Sequence, residues 1–181
     1  MFNCKSWIGE AESLLKRLYE YDHGYTLGEN FIEPADAVSQ ISNMSIGDNR
    51  SSPQVKEFYS LCNGIDWPDV YNGYFIIKKE DLGKIQDEFT PSFIQGVNAG
   101  EVLFFGSSGG GDLSVIIKES GQVAILPPGR IRQNVYDNSD DRAKVVADDF
   151  YGFLSMLLED LRAYVNEDLN HNFCYDSAYK K

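Results

Sequence analysis

Basic residues are scarce in this chain: 16 lysines and arginines stand against 28 aspartates and glutamates, with only two histidines. The resulting net charge of −12 argues against direct nucleic-acid binding, which needs a basic face to displace counterions. It suits a basic protein partner, whose encounter with an acidic surface is accelerated, and it also serves solubility. Cysteine is sparse too. Cys4, Cys62 and Cys174 lie far apart and are odd in number, a poor disulfide framework. No apolar run approaches the length of a membrane-spanning helix. The opening residues, MFNCKSWIGEAESLLKRL, break their apolar pattern with acids and lack a secretory hydrophobic region. The expected location is therefore cytoplasmic, with no membrane partner.

What is present is enough apolar material for one packed domain. Hydrophobic residues make up 43% and aromatics 13% of 181 residues, so residues 1–181 are read as a single domain. Its centre is the stretch EVLFFGSSGGGDLSVIIK, Glu101 to Lys118. Two apolar runs, Val102–Phe105 and Leu113–Ile117, flank a glycine- and serine-rich reversal, and a third, Val123–Leu126, follows the turn Glu119–Gln122. Short β-branched and aromatic runs between such turns predict a β-meander.

Helices are expected around it. Trp7, Ile8, Ala11, Leu14, Leu15 and Leu18 share a stripe over 7–21, with Ser6 as cap and Gly24 beyond the end. Pro34 to about Ile41 reads as a second helix, and 42–52 as a loop. A third starts at Ser52-Pro53, buries Val55, Phe58, Tyr59 and Cys62, and stops at Asn63-Gly64. Ile65–Asp69 reads as a loop, Tyr74–Ile77 as a short strand, Glu80–Gln86 as a helical turn and Thr90–Gly100 as an irregular connector. Beyond Pro127-Pro128-Gly129 a polar surface loop is expected. The long last helix, from about Asp148 to Val165, repeats Phe150, Phe153, Leu154, Leu157, Leu158, Leu161 and Val165 at three-and-four spacing and needs the meander to cover it. The tail, 166–181, carries Phe173, Tyr175 and Tyr179 and is expected to dock.

The run P-Q-V-K-E-F-Y-S-L-C-N-G-I, with Pro53, Phe58, Tyr59, Asn63 and Gly64, resembles the SUKH superfamily of Smi/Knr-type cell-wall regulators and bacterial immunity proteins. The resemblance continues through Phe105-Gly106, Gly111-Asp112, Gly121-Gln122-Val123 and Phe150–Leu158, in that order, covering roughly residues 30–165. Ser52 stands where the pattern has leucine, the Gly-Asp turn is enlarged, and the 7–21 helix and the tail lie outside the common core. The resemblance implies an α+β fold with a mainly antiparallel sheet, no catalytic residues and no cofactor. It also implies neutralisation of a cognate toxin, a nuclease or other toxin domain, by direct binding. The alternative within the family is a regulatory adaptor that binds cellular proteins.

Templates for chemistry fit poorly. Gly106-Ser107-Ser108-Gly109-Gly110 spells a G-x-S-x-G nucleophile elbow with Ser108 as nucleophile, the lesser alternative of a serine hydrolase; that elbow must lead into a helix, and Leu113–Ile117 reads as strand. A phosphate loop needs Lys and Ser or Thr after its last glycine, where Asp112 stands. His171 and Cys174 supply two ligands where structural zinc needs four. Asp137, Ser139, Asp141 and Asp148 imitate a calcium loop whose required glycine is Arg142.

What remains is acidity. Between 137 and 176 acids crowd the chain, offset only by Arg142, Lys144 and Arg162. The partner-binding residues expected on this basis are Asp137, Asp140, Asp141, Glu167 and Asp168. Trp67, beside Asp66 and Asp69, is added as an aromatic anchor. The partner expected is a protein toxin with a basic surface.

Overall fold

A computed structural model describes residues 2–21, 23–35, 46–84, 87–168 and 170–178. Helix α1, Cys4–Leu18, starts one turn earlier than its stripe announces, because Asn3 rather than Ser6 is the cap: its side chain accepts the Ser6 N–H at 2.9 Å. It buries Cys4, Trp7, Ala11, Leu14, Leu15 and Leu18. Pro34 closes a short strand, β1 (Phe31–Pro34), rather than opening a helix; the rest of that expected helix lies outside the described residues. Helix α2, Ser51–Leu61, is held at its start by Asn49, whose Oδ1 accepts from Ser51 and Ser52 N–H at 3.0 and 3.1 Å.

The expected stop at Asn63-Gly64 and the expected loop after it are both corrected. The chain passes from α2 straight into strand β2, Cys62–Trp67. Gly64 takes φ +110° and lies so close to the neighbouring strand that a Cβ would stand 2.5 Å from Ile76 O. Only glycine supplies that approach, so a dipeptide that commonly ends helices here sits inside a sheet. Strand β3, Tyr74–Ile76, and a 3-10 turn, Lys79–Asp81, follow.

The meander is β5 (Gly100–Ser108), β6 (Leu113–Ile117) and β7 (Val123–Leu126). The connector before it contains β4 (Phe93–Gly96), and the expected polar loop after it forms β8 (Ile131–Arg132), β9 (Val135–Asn138) and β10 (Lys144–Ala147). The fold is α+β with a mainly antiparallel sheet; among the described residues the exception is the parallel pair β4–β9. Strand β5 is the hub. Along one edge its C-terminal half pairs with β3, which continues to β2 and β1, and its first residues pair with β4, then β9 and β8. Along the other edge lie β6, β7 and β10.

Alternation along the meander serves two cores. Leu103, Phe105, Ile116, Val123 and Ile125 join the large core with α1, α2 and the last helix, α3 (Phe150–Val165). Val102, Val115, Ala124 and Leu126 face the other way and meet Ile94, Tyr136 and Ala143 from the β4–β9 region. As the stripe requires, α3 packs on the meander: Phe105 makes edge-on contacts with Phe150 and Phe153, centroids 5.4 and 5.3 Å away. Asp149 caps α3, accepting the Gly152 N–H at 2.9 Å. No helix among the described residues is long and apolar enough to cross a membrane.

Candidate functional site

The glycine turn between β5 and β6 is built for close backbone approach. A Cβ on Gly106 would lie 2.5 Å from Phe75 O, and one on Gly109 2.3 Å from Asn72 O. Ser108 ends β5, and its hydroxyl donates to Asp112 Oδ2 at 2.6 Å while accepting the Gly110 and Asp112 N–H groups. The segment beyond is β6, a strand, so Ser108 does not occupy a strand-to-helix elbow.

The expected partner-binding residues separate into several places. Trp67 is wholly buried and stacks on Trp7 with centroids 6.0 Å apart, so it anchors the core and not a partner. Asp66 lies on β2 facing β1, its carboxyl pushed up by partial burial and by the Glu33 charge. Asp69 is tied to Asn30: its carboxylate accepts from Asn30 Nδ2 at 2.7 Å, and its N–H donates to Asn30 Oδ1 at 3.0 Å. Asp137, Asp140 and Asp141 are exposed at the β9–β10 turn. Asp137 and Asp140 share their hollows with Arg130 and Arg142, so this region is mixed in charge. The turn itself is clamped by buried Asn138, which donates to Val97 O at 2.7 Å and accepts the Ala143 N–H at 2.8 Å.

Glu167 and Asp168 are exposed and line a cleft of about 590 Å³ between the end of α3, the Tyr71 loop and the tail. Its other walls include Tyr164, His23, His171, Phe173 and Asp176. Burial, then a hydrogen bond with Tyr25, and least the charge of Asp69 push the Tyr164 hydroxyl up, so Asp69 belongs to the same side. Tyr71 adopts φ +54°, uncommon for a bulky residue. This turns its ring flat against Phe173, centroids 3.9 Å apart, and its hydroxyl onto Asp176 at 2.7–2.8 Å.

Beneath the cleft sits Asp160, a carboxyl 2% exposed on the inner face of α3. It accepts three hydrogen bonds: Tyr74 hydroxyl at 2.7 Å, His171 Nε2 at 2.7 Å and the Cys174 N–H at 2.9 Å. Burial pushes this carboxyl above its ordinary range, against the opposing pull of those donors. The tail docks as expected: Cys174 and Tyr175 are buried, and the Tyr175 hydroxyl meets Ser114 Oγ at 2.9 Å. Tyr179 lies outside the described residues. Among the described residues no three His, Cys, Asp or Glu side chains converge as metal ligands.

The chain matches no family model, no curated protein and no solved structure. Sequence reasoning placed Glu167 and Asp168 in the acidic face, weighed His171 only as a metal ligand and Phe173 only as part of a docking tail, and missed Tyr71 and the buried Asp160 that supports the cleft. A signal for Asp160 was present: it sits beside Leu157 and Leu161 in the apolar run of α3, where a charge requires partners.

Proposed function

We propose that this chain is a non-enzymatic binding protein of SUKH type, a cytoplasmic immunity protein that neutralises a cognate toxin by covering it. The observation that carries the reading is the cleft at the end of α3. Exposed carboxylates of Glu167 and Asp168 stand beside the Tyr71–Phe173 ring stack and Tyr164, combining charge for steering with aromatic area for binding energy. The net charge of −12 and the acids at the β9–β10 turn support a basic partner such as the active face of a nuclease-like toxin. The α+β fold with its antiparallel meander is of the kind the family resemblance implies.

The test is co-expression with any product of a neighbouring gene that is toxic when expressed alone. Protection of the host and a co-eluting complex on size exclusion are the expected results. Association is expected to slow as salt is raised from low to physiological strength, because screening removes steering. Full toxicity with no complex overturns the proposal. A salt-independent association rate overturns the acidic contact.

A further inference from the structure

We propose that the cleft beside α3 seats an arginine side chain of the protein partner. This deepens the binding reading above, on which the choice of a protein as carrier rests. Three features select the occupant. First, the cleft carries the carboxylates of Glu167, Asp168 and Asp176, and among the described residues no lysine or arginine pairs with them. Two arginines near the end of α3 have other partners: Arg162 pairs with Glu10 at 2.7 Å, and Arg17, from α1, donates to Asn166 at 3.0 Å. Among the described residues the cleft thus has no counter-charge from a long basic side chain.

Second, its lining is aromatic: the Tyr71 and Phe173 rings stack on each other, and His171 meets Phe173 edge-on, centroids 4.9 Å apart. Tyr71 and Phe173 are parallel to within 1°, and Tyr164 adds a further ring. A planar guanidinium stacks on such a face and turns its N–H fork to carboxylates at the rim, which a compact ammonium does less well. Third, the two imidazoles are held by the protein. A carbonyl only accepts, so His23 Nε2 carries its proton and donates to Leu18 O at 2.8 Å. His171 is turned onto Asp160. A volume of about 590 Å³ holds an arginine side chain together with the peptide on either side of it.

The proposal is tested on the full chain with the capped peptide acetyl-Gly-Arg-Gly-amide, followed by NMR. Saturable shifts are expected at Tyr71, Tyr164, Glu167, Asp168 and His171. Citrulline in place of arginine keeps the shape without the charge and is expected to produce none. The double variant Glu167→Gln/Asp168→Asn is expected to bind the arginine peptide roughly tenfold more weakly, with unchanged fold by circular dichroism. Glu159→Gln, on the exposed side of α3, is expected to bind as wild type. Absent or non-saturating shifts, equal shifts from the citrulline peptide, or tighter binding of spermidine or magnesium ion than of the arginine peptide would each overturn the inference. These results are read without a toxin. Arginine binding in a protein that fails to protect cells sinks the immunity reading alone, and protection without arginine binding sinks this one alone.

Discussion

Replacing Asp160 separates the roles of shape and charge beneath the cleft. In Asp160→Ala the Tyr74 hydroxyl and the Cys174 N–H, both buried, lose their acceptor. Each orphaned buried donor costs about 1–3 kcal/mol, so a loss of about 4 kcal/mol is expected. His171, 22% exposed at its side chain, turns to water and adds little. Asp160→Asn differs. Its amide oxygen still accepts from Tyr74 and Cys174, and its NH₂ faces His171 once that ring shifts its proton to Nδ1, so the cost stays near about 1 kcal/mol. The assay is urea unfolding followed by fluorescence of the stacked Trp7–Trp67 pair. A midpoint lowered by about 2 M is expected for the alanine variant. An alanine variant within about 0.5 kcal/mol of wild type, or an asparagine variant as damaged as the alanine one, would refute the three-donor account.

The same carboxyl sets a pH dependence. Burial raises its native pKa above the ordinary one, so between those two values the native state binds more proton than the unfolded chain. Stability from this group is complete below the ordinary carboxylate range and is lost as pH rises through the raised native value. Asp160→Asn cannot titrate. The stability advantage of wild type over it is therefore expected to shrink as pH is raised from acid towards neutral, and a widening gap would contradict the assignment.

Gly9→Ala, in an exposed turn of α1 with open space around it, is expected to stabilise by about 0.5–1 kcal/mol, read as a raised urea midpoint. Gly64→Ala, at φ +110° against Ile76 O, is expected to destabilise by more than about 2 kcal/mol in the same assay. Cys4 and Cys62 are buried, and that burial raises their thiols to about 11 and about 12; Cys174 is raised too. All three are expected to resist a thiol reagent at neutral pH until the protein is denatured, and fast stoichiometric labelling of the native chain would show otherwise. Ser108→Ala is expected to lower stability by about 1–3 kcal/mol through its turn hydrogen bonds, a loss that thermal melting measures.

The parts of the fold legible in the sequence were those whose own side chains repeat a period. The seven-residue stripe of α3, the stripe of α1 and the three meander strands announce themselves without reference to distant residues. The strands that escaped notice, β1, β4, β8, β9 and β10, are two to four residues long, too short for alternation to show. β2 was hidden by Asn63-Gly64, a pair with one local meaning at a helix end and another against Ile76 O. Trp67 illustrates the limit for the site: its flanking acids read as surface, but whether a strand turns its indole inward depends on Trp7, sixty residues away. Glu167 and Asp168 could be placed by charge. The Tyr71–Phe173 stack joins residues about a hundred positions apart and leaves no local trace.

Strand β5 has one face in each hydrophobic cluster and a hydrogen-bonded neighbour on each edge. Damage to either half is therefore transmitted through a shared backbone. Heating is expected to yield one calorimetric peak, with no stable half-melted species, although the apolar interior is physically divided. A substitution as remote as Ala143 in the smaller cluster then loosens the helical side to the same extent as its own, because the two cannot come apart separately.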